Sequence, residues 1–188
     1  SATLLEQIDN LAEIANAFGN FAELPQSSNI KIEINEVVEM VHNLFRKRED
    51  MDITLAVPID PIMVYGDKNQ LIRILNNLVK NAVESVPQNR RGIIKLSLYT
   101  QNDNAIIKVS DNGEGIPEDM QDKIFQPKFT TKDSGSGLGL AISANMIESM
   151  NGRLYFESKP EKGTDFYIEL DIIRPTNYQD QDKRITLD

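Results

Sequence analysis

The sequence contains no cysteine and no tryptophan, and only one histidine, His42. Without thiols there is no disulfide framework, no thiolate metal site and no cysteine nucleophile, and one imidazole excludes a multi-histidine metal centre. The lack of cysteine fits a reducing compartment. Long apolar runs are also missing. None approaches the ~18–20 residues a membrane-crossing helix needs, and the first residues lack the basic-then-apolar order of an export signal. The expectation is a cytoplasmic chain without direct membrane contact, whose longer parent can still be membrane-anchored. Excess positive charge is absent as well. With 29 acids against 20 bases the formal charge is −9, a field that repels nucleic acid and anionic lipid, so no nucleic-acid partner is expected. Any anionic ligand must be held locally, by backbone amides or a few placed cations.

What is present is a globular composition, 40% hydrophobic and 26% charged over 188 residues, which excludes wholesale disorder and suits one domain with an appendage. Residues 1–25 read as one helix. Leu4, Ile8, Leu11, Ala15, Phe18 and Ala22 form a heptad seam, Ile14 and Phe21 widen it, and Pro25 ends it. Such a helix is either half of a hairpin or dimer contact, or it folds back on its own domain.

Residues 26–174 form the domain proper. A strand is expected at Ile30, Ile32 and Ile34, then a helix capped by Asn35 and carrying Val38, Val41, Leu44 and Phe45. A second strand follows at 53–59. Asp67 is the expected N-cap of a long helix with Leu71, Ile74, Leu75, Leu78, Ala82 and Val86 on its apolar face. Strands at 93–100 and 105–111 are joined by a turn at Asn102-Asp103-Asn104. Residues 112–136 are long and weakly periodic, which inside a compact domain usually signals function. A helix at 137–150 stops at Asn151-Gly152, and strands at 153–158 and 164–172 close the domain. Residues 175–188 read as a disordered polar tail. The predicted fold is an α/β (α+β) two-layer sandwich. Its mixed, mostly antiparallel sheet carries helices on one face and is preceded by one long helix.

Four segments bear on chemistry. Asn77 and Asn81 lie four apart in Asn76-Asn77-Leu78-Val79-Lys80-Asn81, hence on one helix face, although asparagine is a poor helix former. Their carboxamide oxygens are hard neutral ligands suited to Mg²⁺, yet alone the pair reads as a solvated face. Asp111-Asn112-Gly113-Glu114-Gly115 ends an apolar strand. A buried carboxylate there can accept from an exocyclic amine beside glycines that let a flat ring approach. Ile124-Phe125-Gln126-Pro127-Lys128-Phe129-Thr130-Thr131-Lys132 reads equally as a loop pinned by two phenyl rings. Gly135-Ser136-Gly137-Leu138-Gly139 opens a helix, where free amides and the positive dipole end suit phosphate. No Gly-Lys-[Ser/Thr] follows, so it is not a Walker loop, and a loop rather than a strand precedes it, unlike a dinucleotide fingerprint.

Taken in order, these segments resemble the N, G1, F and G2 boxes of the Bergerat-fold ATPase/kinase superfamily, over roughly residues 29–173. Within it the chain is most similar to the catalytic ATP-binding domain of bacterial sensor histidine kinases of the nitrogen-regulation type. Residues 1–25 resemble the second helix of their dimerisation and phosphotransfer module. The resemblance implies Mg²⁺ on Asn81 with Asn77 close by, and the adenine amine on Asp111 with Gly113 and Gly115 shaping the pocket. It also implies a lid hinged by Gly135, Gly137 and Gly139, with Leu138 among them, and charge for the triphosphate from Lys132. Lys80 and Lys128 read equally as solvated lysines, and Thr164 in Gly163-Thr164-Asp165-Phe166 matches a family position on a late strand. The implied ligands are ATP or ADP with Mg²⁺, and the implied partners are a response-regulator receiver domain and a second copy through helix 1–25.

Two departures qualify the likeness. The family's phosphoacceptor, a histidine followed by an acid, is missing, since His42 in Val41-His42-Asn43-Leu44-Phe45 has no acid neighbour. His42 reads as structural, and the chain alone is expected not to autophosphorylate. Hydrolytic cousins such as gyrase carry a glutamate base where Asn77 stands. An amide cannot deprotonate water, so phosphoryl transfer is expected over hydrolysis; the alternatives are an ATP hydrolase or a nucleotide-sensing module.

Overall fold

The computed structural model describes residues 29–127 and 137–174. The elements run β1 (Ile30–Glu33), α1 (Ile34–Phe45), β2 (Met51–Ala56), β3 (Met63–Gly66), α2 (Lys68–Ser85), β4 (Gly92–Gln101), β5 (Asn104–Asp111), α3 (Glu118–Gln121), α4 (Gly139–Ser149), β6 (Arg153–Lys159) and β7 (Gly163–Asp171). The main sheet has the order β2-β4-β5-β7-β6. Only β2 and β4 pair in parallel; β4–β5, β5–β7 and β6–β7 are antiparallel. β1 and β3 form a separate antiparallel pair. This is the expected mixed, mostly antiparallel two-layer sandwich.

Alternation makes the two faces. Ile94, Leu96 and Leu98 of β4, Ala105, Ile107 and Val109 of β5, and Phe166, Ile168 and Leu170 of β7 are buried. Above them α2 lays down Leu71, Ile74, Leu75, Leu78, Val79 and Ala82, and α1 lays down Ile34, Val37, Val38 and Val41, all in one core. At roughly 1.5–3 kcal/mol for each large buried side chain, this stripe fixes how α2 is rotated, and so where its polar face points. The sheet's other face is mostly polar, with Ile93 and the buried Ile106 among charged and tyrosine side chains. Tyr155 stacks on Tyr167 at 4.9 Å, and Lys108 pairs with Asp165 at 2.8 Å.

Local signals explain most ends. Asp67 caps α2, its Oδ1 accepting from the amides of Asn69 and Gln70 at 2.9 and 3.1 Å. Asn102 and Asp103, both at positive φ, make the two-residue β4–β5 turn. Asn151, at φ 57°, and Gly152 end α4, the Gly152 amide donating to Ile147 O at 3.0 Å.

Three expectations are corrected. Ile34 belongs to α1, not to the first strand, and Glu33 rather than Asn35 stands at the cap position, without a side-chain cap bond. Asn35 is buried instead, and a buried amide must find partners. It donates to the carbonyls of Pro58 and Asp60 at 3.0 and 3.2 Å and accepts from the Ile62 amide at 2.9 Å. That clasp turns the chain after β2, so the strand expected at 53–59 ends at Ala56. The short β3 and α3 carry too few residues to show a period. Helix 1–25, the tail from 175, and the loop residues Lys128, Phe129, Lys132 and Gly135 lie outside the described residues.

Candidate functional site

α2 presents Asn77, Asn81 and Ser85 at intervals of four, one helix face turned away from its buried stripe. At its middle, Asn77 is engaged. Its Nδ2 donates to Ser143 Oγ at 3.1 Å, and that hydroxyl donates to Gly139 O at 2.8 Å. A Cβ on Gly139 would lie 2.6 Å from Asn77 Oδ1, so this glycine lets the start of α4 close onto α2. Asn81, one turn on, is half-buried, and its amide makes no hydrogen bond among the described residues.

The far end of that face meets Asp111, the last residue of β5. Its Oδ1 accepts from the Gly113 amide at 2.8 Å, Ser85 Oγ at 3.0 Å and the Thr164 amide at 3.2 Å. Three elements thus converge on one carboxylate oxygen. Burial pushes the Asp111 carboxyl up from its ordinary value, the three donors pull it partly back, and the charge of Asp165 adds to the rise. Gly113 has no room for a side chain, since its Cβ would fall 2.0 Å from Ser85 Oγ and 2.7 Å from Ser85 O. Gly115 holds φ +72° against Lys159 O. Thr164 is buried, and its hydroxyl lies 2.8 Å from Ser158 Oγ, which also accepts from the Ile116 amide at 2.8 Å. Asp111, Ser158, Gly163 and Thr164 line a cleft of about 560 Å³.

At the opposite end of the Asn77–Asn81–Ser85 face, Gly137 turns the chain at φ +64°, and Leu138 stands at the cap position of α4 without a side-chain cap bond. Among the described residues the amides of that first turn have no partner outside the helix, the arrangement that suits an anion. Leu138 itself is buried and anchors the turn.

The structure therefore gathers Asn77, Asn81, Asp111, Gly113, Gly115, Gly137, Leu138, Gly139 and Thr164 around one α2 face, while Lys132 and Gly135 lie outside the described residues. Lys80 is exposed and pairs with Glu84 at 3.7 Å, the solvated lysine that its sequence allowed. Phe125 packs edge-on against Phe156 at 5.8 Å, pinning the start of the aromatic loop. His42 is half-buried on α1 with Nε2 3.1 Å from Ile53 O. β2 and β4 separate it from β5 in the sheet. Among the described residues no group of three or more His, Cys, Asp or Glu is arranged to hold a metal.

Three members went unassigned in the sequence. Ser85 had a signal, because it continues the four-residue interval of Asn77 and Asn81. Ser158 and Gly163 had none, since the β6–β7 hairpin alone brings them to Asp111.

Comparison with known proteins follows the same lines. The family model described as histidine kinase-, DNA gyrase B-, and HSP90-like ATPase matches residues 66–174. Sporulation kinase A of Bacillus subtilis (strain 168) is 36% identical over 149 residues, which is 77% of this chain and 24% of that protein. The sensory histidine kinase/phosphatase NtrB of Azospirillum brasilense is 29% identical over 182 residues, 89% of this chain and 45% of that protein. The chain spans less than half the length of these curated relatives. Among solved structures, the mycobacterial sensor histidine kinase MprB superposes with a TM-score of 0.68 at 28% identity, covering 78% of this chain and 99% of that one. Full-length ShkA in complex with AMPPNP gives 0.77 at 26%, covering 93% and 38%. Histidine kinase ThkA in complex with the response regulator protein TrrA gives 0.71 at 25%, covering 88% and 49%.

Proposed function

The chain belongs to the histidine kinase-, DNA gyrase B-, and HSP90-like ATPase family, and from that premise we propose that it is the ATP-binding catalytic part of a two-component sensor histidine kinase. The observation that carries this assignment is Asp111, pinned through Oδ1 in the lining of the cleft that Ser158, Gly163 and Thr164 share. Its Oδ2 makes no hydrogen bond among the described residues and takes the exocyclic amine of adenine. Gly113 and Gly115 let the loop after β5 pack close on Ser85 and Lys159, which holds Asp111 at the cleft, and Thr164 lines the cleft beside it. The phosphates run along the α2 face to the amides after Gly137, with Leu138 and Gly139 holding that turn against α2. Gly135 and Lys132 complete the phosphate end in this assignment.

Mg²⁺ fits the donors present. Asn81 offers a carboxamide oxygen with no hydrogen bond among the described residues, Asn77 lies one turn away, and no carboxylate cage among the described residues competes with phosphate for the ion. Bound there, the ion supplies neutralisation of phosphate charge. The protein's own part is positioning. Asp111 fixes the base, the α4 amides fix the phosphates, and the γ-phosphoryl is presented to an acceptor imidazole. Transfer forms an N–P bond on that imidazole, breaks the bridging P–O bond and releases ADP. His42, held to Ile53 O two strands away from β5, is not that imidazole. The acceptor belongs to a helix upstream of residue 1, paired with helix 1–25 in a dimer, on the cytoplasmic side where ATP is found. A response-regulator receiver domain takes the phosphoryl next.

Two measurements test this. Calorimetry on the chain should give ADP binding well above GDP binding, strengthened for ATP by Mg²⁺. Incubation with labelled Mg-ATP should leave the chain unlabelled, while a polypeptide supplying the upstream helix acquires acid-labile phosphate. Equal affinity for ADP and GDP, or stoichiometric label on His42, overturns the assignment.

A further inference from the structure

Ser85 touches the centre of the site, yet the transfer just described gives it no task. We propose that Ser85 is a specificity-determining positioning residue: by donating to Asp111 Oδ1 it keeps Oδ2 turned to the cleft as the acceptor of the adenine amine. This rests on the nucleotide assignment above and deepens it.

The geometry is specific. Ser85 has one hydroxyl proton and two acceptors in reach, Asp111 Oδ1 at 3.0 Å and Ala82 O at 2.8 Å. An ionised carboxylate is the stronger acceptor, so the proton goes to Asp111 whenever that group is charged. Oδ1 then carries donors from α2, from the loop after β5 and from β7. Rotating the carboxylate would strip all three at once. Ser85 is the only side chain among them, because Gly113 and Thr164 use their amides. Its backbone matters too, since Ser85 O accepts from the Glu114 amide at 3.0 Å and so sets the path from Asp111 to Gly115. A Ser85→Ala change spares that carbonyl and removes only the hydroxyl.

The test uses the whole 188-residue chain. Calorimetry compares ADP with the purine riboside 5′-diphosphate that lacks the 6-amino group, on wild type and Ser85→Ala. The expected result is an ADP affinity about five- to tenfold weaker in the variant, against a change of no more than about twofold for the desamino ligand. Comparing the two ligands cancels any loss of folded protein. Equal weakening of both ligands means that Ser85 only supports the fold, and unchanged ADP affinity means that its hydroxyl does nothing; either outcome overturns the proposal. If wild type itself fails to prefer ADP over the desamino ligand, the failure lies one step earlier, in the assignment of adenine to Asp111, and this proposal falls with it.

Discussion

The two ends of the α2 face are locked by different kinds of atom. At the Asp111 end, main chain is part of the obstacle: a Cβ on Gly113 would meet Ser85 Oγ at 2.0 Å and also Ser85 O at 2.7 Å, and one on Gly115 would meet Lys159 O at 2.2 Å. At the α4 end, the obstacle at Gly139 is the tip of the Asn77 side chain at 2.6 Å, held in turn by Ser143. A carbonyl cannot move without moving its strand or helix; a carboxamide can swing about χ2. The end proposed for the base is therefore built before any ligand arrives. The end proposed for the phosphates can be re-set by one rotamer, and Leu138 at the start of α4 makes no side-chain cap bond. A site that must discriminate bases while letting a charged tail enter and leave gains from that division.

The largest effect that would test this contrast is Gly113→Ala. The new methyl collides with Ser85 side chain and carbonyl together, so we expect a stability loss of about 2–4 kcal/mol by denaturant titration, with nucleotide affinity falling alongside. A loss under half a kcal/mol, on the order of an ordinary surface change, would mean that the base end is as yielding as the phosphate end. Asp111→Ala comes next. It should leave the protein folded, weaken ADP by about 100-fold, and remove the preference over GDP, because it deletes the one ionised acceptor facing the amine. Retained base selectivity in that variant would place adenine elsewhere.

At the phosphate end the effects should be smaller and repairable. Asn81→Ala should lower the Mg²⁺-dependent gain in ATP affinity by about tenfold and leave metal-free ADP binding as it was, since the Asp111 cluster is untouched. A uniform loss with and without metal would remove Asn81 from the metal. Gly139→Ala is the sharper probe. In an ordinary helix that change stabilises by up to ~1 kcal/mol. Here the methyl must push the Asn77 amide off Ser143, so a net loss of about 1 kcal/mol is expected, reverting to a gain when Asn77→Ala is added. Additive effects in that double-mutant cycle would mean that Asn77 does not hold α4.

Much of this was legible beforehand, and the residues show why. Asp67, the Asn102-Asp103 turn and the stripe from Leu71 to Ala82 act through neighbours in sequence, so local spacing found them. Asn77, Asn81 and Asp111 were found as types in local motifs, and Thr164 only through the family resemblance, but not as a network. What joins them are contacts across long separations: Asn77 to Ser143, Asp111 to Thr164, Ile116 to Ser158. Asn35 failed for the same reason. Its position before a helix suggested a cap, whereas its partners lie more than twenty residues ahead on the loop after β2. Local chemistry predicts elements well and shared partners poorly.

The smallest effect concerns the cost of holding Asp111 ionised. Burial raises its pKa above the unfolded value despite three hydrogen bonds. In the pH window between the unfolded and folded values the native state binds more protons than the unfolded one. Stability therefore falls as pH rises through that window and stays lower above it. Nucleotide binding runs the opposite way, since the amine needs the charged acceptor, and it should strengthen over the same window. Asp111→Asn keeps an oxygen for the three donors and removes the titration. Its thermal midpoint should lose this part of the decline between acid and neutral pH, ending slightly above wild type at pH 7, while ADP selectivity disappears. A variant that declines with pH as wild type does would show that the folded site does not resist ionisation of Asp111. The pocket would then be wetter than its burial implies, and the main-chain lock at the base end weaker than the glycine contacts require.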